Sequence, residues 1–178
     1  MKSEVEKIVV LNEQQISRKI KRMAFEIYEN NFSEKSIVLA GIEGQGYVFA
    51  KILGKELSTI SELNVVIAKI SVDKLAPQQS EVKVDMEATG FKKKCILVVD
   101  DVLNTGRTLA YAMKPFFEVG VKKIEVAVLV NRSHTLFPIT PTYTGYELST
   151  TFKDHVEVIL GKKSSVYLHW VQSPKLKV

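Results

Sequence analysis

The sequence has little cysteine and little histidine. Cys95 stands alone, so no internal disulfide can form, and the chain suits a reducing, cytoplasmic setting. Its three histidines, His134, His155 and His169, lie far apart without ligand spacing, which argues against a zinc site. No apolar run approaches the ~18 residues of a membrane span; the longest, such as residues 126–130, are strand-sized, and no membrane partner is expected. Residues 1–7 are polar and charged, without the apolar core of a signal peptide. Internal repeats and low-complexity tracts are missing as well. What is present is ordinary globular composition, 46% apolar and 25% charged over 178 residues. That length reads as one domain, residues 1–178, able to bury a core without staples. Lys and Arg outnumber Asp and Glu by 25 to 20, and a net charge of +5 suits an anionic small ligand, RNA or a merely soluble protein.

The apolar pattern predicts alternating strands and helices. Residues 7–11 read as a short strand, and Asn12 with Gln15 makes a capping box for the helix that follows. Ile16, Ile20, Met23, Ile27 and Tyr28 stripe one face of that helix, and Arg18, Lys19, Lys21 and Arg22 its other side. Strands are expected at 37–40, 65–70, 95–99 and 125–130, with helices at 47–57 and 108–119, the second loosened by Pro115 and stopped at Gly120. Continuous Val/Ile/Leu runs alternating with helices predict an α/β fold, an open, mostly parallel sheet with helices on both faces. The tail adds short β pieces at 156–160 and 166–170. Cys95 reads as core, and Tyr167 and Trp170 as packing residues or part of a dimer contact. Residues 71–94 break the rhythm. This stretch joins two strands without a helix, and its middle, 81–87, alternates polar and apolar at period two. It reads as a long β-ribbon flap, with a functionless surface hairpin as the alternative.

Two turns carry chemistry. In Gly41-Ile42-Glu43-Gly44-Gln45-Gly46 the glycines have Walker-like spacing, but Tyr47-Val48 stand where Lys-Ser/Thr must follow. The dinucleotide fingerprint fails too, because Phe49 replaces its third glycine. What survives is a turn exposing backbone N–H groups at a helix start, either an anion nest or a tight structural turn. The second turn is richer: Val98-Val99-Asp100-Asp101-Val102-Leu103-Asn104-Thr105-Gly106-Arg107-Thr108. Carboxylates accept hydrogen bonds from sugar hydroxyls, and a helix start with small and hydroxyl side chains attracts a phosphate. A ribose 5-phosphate fits that arrangement.

These eleven residues resemble the phosphoribosyl pyrophosphate (PRPP) signature of the type I phosphoribosyltransferases. The order of pyrophosphate loop (41–46), flap (71–94), signature and base-binding hood (about 131–178) is similar to that family along most of the chain. Within it the chain looks nearest to the PyrR type, the bifunctional pyrimidine operon attenuator and uracil phosphoribosyltransferase. Val128-Leu129-Val130-Asn131-Arg132-Ser133-His134 and Phe137-Pro138-Ile139 resemble that type's Val-Leu-Val-Asp-Arg-Gly-His and Leu-Pro-Ile. The resemblance implies attack of a nucleobase nitrogen, uracil favoured, on C1′ of PRPP, with magnesium pyrophosphate leaving. It implies Asp100 and Asp101 on the ribose hydroxyls, Asp101 near a magnesium ion held by substrate rather than by protein. By the same resemblance Asn104, Thr105, Gly106, Arg107 and Thr108 would hold the 5-phosphate side, and Glu43, Gly44 and Gln45 would line the pyrophosphate. Tyr143 would stack on the base, Thr144 would meet its edge, and Asn131 would stand near the base oxygen. A homo-oligomer, a dimer or larger, is also expected.

The departures are specific. Glu43 and Gln45 stand where the PyrR loop carries Lys and Arg, so Lys74, roughly matching a PyrR arginine in the flap, is the expected replacement cation. Asn104 stands where purine enzymes place aspartate and PyrR tyrosine; Asn131 where they place lysine and aspartate. Two alternatives therefore stay open: a PyrR-like RNA-binding regulator with weak or no catalysis, and a hypoxanthine/guanine salvage enzyme. For RNA, the basic helix face with Lys21 and Arg22 speaks in favour, while Phe25 and Asn30 replace the His and Arg usual in that type.

Overall fold

The computed structural model describes residues 5–73, 75, 81–151 and 153–171. In chain order they form β1 (Val5–Leu11), α1 (Glu13–Asn31), β2 (Ser36–Ile42), α2 (Gln45–Ile60) and β3 (Asn64–Ser71). There follow β4 (Lys83–Val84), β5 (Cys95–Leu103), α3 (Arg107–Ala112), α4 (Lys114–Phe117) and β6 (Lys123–Asn131). The last three strands are β7 (Tyr143–Glu147), β8 (His155–Ile159) and β9 (Ser165–Val171).

The capping box forms as its residues require: Asn12 Oδ1 accepts the Gln15 N–H at 3.0 Å, and Gln15 Oε1 accepts the Asn12 N–H at 2.9 Å. Ile16, Ile20, Met23, Ala24 and Ile27 then bury one face of α1, while Arg18, Lys21 and Arg22 stay exposed. Six strands lie in the order β4-β3-β2-β5-β6-β7, all parallel from β3 through β7, with β4 antiparallel on the edge. Their near-continuous apolar runs are explained by burial on both sides. Along β5, Cys95, Leu97 and Val99 join one core with α1 and α2, whereas Ile96 and Val98 join a second core with α3 and α4. Burial pushes the Cys95 thiol pKa up, with the Glu34 carboxylate adding to it, so this cysteine is an inert core residue.

Three local expectations are corrected. The helix after the signature breaks into α3 and α4 because Pro115, lacking an N–H, starts a new short turn rather than continuing the old one. Among the described residues the ribbon pairs two residues per arm, Ile70 facing Val84 and Ser71 facing Lys83. Beyond it Val82, Val84 and Met86 pack against the second core, and a single 3₁₀ turn (Ala88–Gly90) leads to Phe91, buried edge-to-face on Phe116. The flap base is thus anchored by apolar contact; Lys74 lies outside the described residues. The tail is not one hood, since β7 extends the main sheet, and only β8 and β9 leave it. They pair with the N-terminal strand in an antiparallel sheet ordered β1-β9-β8. Glu157 knits that sheet together, accepting from Lys7 at 3.1 Å and lying 2.8 Å from His169 Nε2; these partners, His169 first, hold its carboxyl below the usual range. Lys7 also covers the Tyr167 ring at 3.9 Å, while Trp170 remains 48% exposed.

Candidate active site

The chain passes from β2 to β3 on one side, then returns to lay β5, β6 and β7 on the other. Strand order therefore reverses between β2 and β5, and the crevice beyond their carboxyl ends is where open α/β sheets hold ligands. Both chemically rich turns emerge there. After β2, the Glu43 N–H is tied to the Ile70 carbonyl at 2.8 Å, and Gly44 adopts φ 97°, ψ −136°, a conformation costly for any other residue. Gly44 caps α2 without a side-chain bond, so the first N–H groups of this 16-residue helix are open to an anion.

Gly46 brings the two turns together. A Cβ there would lie 2.7 Å from Asp100 Oδ1 and 3.1 Å from both the Asp100 Cα and the Val99 carbonyl, so only glycine permits this approach. Asp100 itself is 5% exposed, and its Oδ1 accepts the Asp101 N–H at 3.0 Å. β5 continues through both acids to Leu103, burying Asp100 and leaving Asp101 half-exposed. Beyond them Gly106 takes the left-handed conformation at φ 79° and opens α3, and Thr105 Oγ1 accepts the Arg107 N–H at 3.3 Å. A cavity of about 200 Å³ is lined by Asp100, Asn104, Thr105, Gly106, Arg107 and Thr108 with their apolar neighbours.

A support unseen in the sequence props this turn. The Thr105 carbonyl accepts the N–H groups of Leu136 (2.8 Å) and Phe137 (3.0 Å), and Ile139 sits where a Gly106 side chain would go. Arg107 lies over the Phe137 ring at 5.6 Å. Phe137-Pro138-Ile139 was visible as a motif, but nothing local in it says which turn it supports.

The expected base-binding residues separate. Asn131 ends β6 on the crevice side, where its amide donates to Glu147 Oε1 at 3.1 Å and accepts the Ser133 N–H at 3.0 Å. Those two bonds, and Ser133 Oγ on Glu147 at 3.2 Å, hold Ser133 at φ 57°, a strained value for a residue other than glycine. Arg132 is buried and donates to the Thr151 and Asp154 carbonyls; burial lowers its pKa, offset by Asp154. His134 Nε2 lies 2.6 Å from the Thr150 carbonyl. Tyr143, by contrast, pairs with Ala127, four residues before Asn131 and roughly 13 Å back along the strand. It is 1% exposed, its hydroxyl held among Asn30, Asn31 and Glu125, and burial pushes its pKa up to about 12. The stacking role assigned to Tyr143 is therefore corrected: this ring is core. Thr144, opposite Val128, instead lines a separate cavity of about 380 Å³ between α1 and β7 with Lys19, Arg22 and Tyr146.

The charge of the first loop is likewise resolved differently. Glu43 pairs with Lys69 of β3, Oε1 to Nζ 3.4 Å, and Gln45 Oε1 accepts the Leu160 N–H at 2.9 Å. Gln45 therefore fastens α2 to the small sheet.

Residues 9–160 match the phosphoribosyl transferase domain. The chain belongs to the type I phosphoribosyltransferase family. Among curated phosphoribosyltransferase relatives, it is 34% identical over 166 residues to the bifunctional protein PyrR of Bacillus pumilus (strain SAFR-032), covering 88% of this chain and 92% of that one. Against bifunctional protein PyrR of Limosilactobacillus reuteri the identity is 32%, with 84% and 89% covered. Among solved structures, hypoxanthine phosphoribosyltransferase from Trypanosoma cruzi with the product IMP superimposes with TM-score 0.70 at 19% identity, covering 85% of this chain and 82% of that one. A hypoxanthine-guanine phosphoribosyltransferase from Bacillus anthracis gives TM-score 0.68 at 23% identity, covering 84% and 87%. At such identities the likeness is one of fold. The open parallel sheet is thus that of the family, and the chain is a PRPP-dependent phosphoribosyltransferase. The family generally uses magnesium with PRPP. Among the described residues no three Asp, Glu, His or Cys side chains gather to hold a metal.

Proposed function

We propose that this phosphoribosyltransferase joins a nucleobase, uracil by preference, to PRPP, with the crevice between β2 and β5 as its active site. The observation that carries the site is Gly46 against Asp100, which makes the two turns one continuous cradle. In this reading the uncapped N–H groups of α2 meet the pyrophosphate, Asp100 orients Asp101, and Asp101 accepts from a ribose hydroxyl. The turn Thr105–Thr108 holds the 5-phosphate through its backbone N–H groups, the Arg107 N–H exchanging its long 3.3 Å bond to Thr105 Oγ1 for a phosphate oxygen, while Gly106 leaves room for the group. Such holding is most of the catalysis, because an oxocarbenium-like centre needs positioning, charge neutralisation and exclusion of water. Magnesium on the pyrophosphate would neutralise the leaving group's charge, with Asp101 nearest to it. Uracil is favoured by the identity with PyrR-named relatives across nearly their whole length. Asn131, an amide on the crevice side already bonded to Glu147 and Ser133, has a second N–H and a second lone pair to turn to a base edge but is no general base.

A panel assay of uracil, hypoxanthine, guanine, xanthine and orotate with PRPP and magnesium tests the base. Uracil turnover at least about tenfold above the purines supports the reading, a difference of about 1.4 kcal/mol in barrier; a purine preference overturns it.

A second reading, RNA binding, is favoured by one observation: Arg18, Lys21 and Arg22 are exposed together along α1, three and four residues apart. Affinity for a pyrimidine-operon leader RNA should fall by about one log unit per phosphate contact per log unit of salt. Charge reversal of Lys21 that leaves RNA affinity unchanged would remove this reading.

A further inference from the structure

The first loop faces a charge deficit. A pyrophosphate group is polyanionic, yet residues 41–46 bring Glu43 and no cation, and Gln45 is committed to the Leu160 N–H. Among the described residues three other cations have partners outside the loop: Lys51 lies over the Tyr47 ring at 4.8 Å, Lys83 pairs with Glu81 at 3.5 Å, and Arg107 covers Phe137. Lys69 differs. It lies in β3 directly beside Gly41, one strand's width from the start of the loop, and its Nζ already reaches Glu43.

We propose that Lys69 is the cation that meets the pyrophosphate group of the donor, held beside the loop by Glu43 until that group arrives. The inference rests on the phosphoribosyltransferase reading of the crevice. Both partners of the ion pair are open to water, with side chains 36% and 56% exposed, and such pairs contribute little stability. Exchanging one carboxylate for phosphate oxygens of higher charge is therefore favourable, and the pair keeps the lysine extended toward the loop in the meantime. The Lys69 backbone is fixed from the other side. Its N–H donates to Asp85 Oδ1 at 2.6 Å and its carbonyl accepts the Asp85 N–H at 3.1 Å. The returning arm of the flap thus ends on the residue that carries the charge, which puts this cation at the junction of loop and flap. Glu43 becomes a counter-ion that a lysine-bearing loop would not need, which accounts for an acid in an anion site.

Calorimetry on the full chain with magnesium tests this, using PRPP, inorganic pyrophosphate and ribose 5-phosphate as separate probes. Lys69→Met should weaken PRPP and pyrophosphate by about tenfold or more and leave ribose 5-phosphate unchanged, the loss expected for one charge-assisted contact. Lys69→Arg should restore most of the affinity, and Glu43→Gln should tighten pyrophosphate. Unchanged pyrophosphate affinity in Lys69→Met, or an equal loss of ribose 5-phosphate, overturns the proposal while leaving the crevice assignment standing. A folded wild-type chain that binds none of the three probes overturns the crevice assignment itself.

Discussion

Gln45 and Leu160 are joined across 115 residues, the glutamine side-chain oxygen accepting the leucine N–H at 2.9 Å. Gln45 is the first residue of α2, and Leu160 follows the last residue of β8. The helix whose start fronts the crevice is thereby fastened to the small antiparallel sheet. Arginine, which occupies this loop position in the PyrR type, has no acceptor and cannot make that bond.

Gln45→Leu should lower unfolding stability by about 1–3 kcal/mol, because the Leu160 N–H loses its partner in a part-buried site. Gln45→Arg should show the same loss while tightening PRPP, since it adds charge to the loop. Urea unfolding beside calorimetry separates the two effects; a Gln45→Arg protein as stable as wild type would contradict the fastening role.

The two acids should respond differently. Asp101→Asn, at a half-exposed residue, should abolish PRPP binding with little change in thermal midpoint. Asp100→Ala removes a buried acceptor for the Asp101 N–H and should cost both binding and about 1–3 kcal/mol of stability. Equal stability losses in the two variants would contradict the burial asymmetry.

Gly46→Ala pushes a methyl group into Asp100 and the β5 backbone, so the turns must separate. Overpacking of this kind costs about 1–3 kcal/mol. PRPP affinity should fall with it, because the cradle spans both turns. Gly44→Ala meets no neighbour and should lose stability only through its positive φ, which a thermal-shift comparison can resolve.

Tyr143→Phe should destabilise the fold, because it removes a buried hydroxyl bonded among Asn30, Asn31 and Glu125, and should leave the Michaelis constant for the base unchanged. The pH dependence follows from the raised phenol pKa. The folded chain keeps this proton up to about 12, whereas an unfolded tyrosine loses it near the ordinary value of 10.0. Its contribution is therefore complete below that ordinary value and disappears as pH rises through the folded one. The stability gap between wild type and Tyr143→Phe should narrow over that alkaline window.

Features made by neighbours in the chain are legible in the sequence. The capping box at Asn12, the alternating strands and helices, the weakening of a helix at Pro115 and the string from Asp100 to Thr108 each depend on spacing within a few residues. Spacing of that kind is what backbone geometry converts directly into structure. The crevice could be located for the same reason, since both turns follow apolar strands and open helices.

Contacts between distant segments are a different matter. That β1 pairs with β9, that Gln45 reaches Leu160, that Lys69 stands beside Gly41 and that Tyr143 turns into the core depend on how the sheet is ordered and twisted. A side chain's neighbours across strands carry no signature in its own stretch of chain. Asp100 is the sharpest case: its place beside Asp101 makes both acids look alike, but the close approach of Gly46 buries one and leaves the other half open to water. The local string of residues determined that an acidic pair would face a helix start. Only packing of α2 against β5 decided which acid is a buried strut and which is free to meet a ligand, because burial is a property of neighbouring elements rather than of the residue itself.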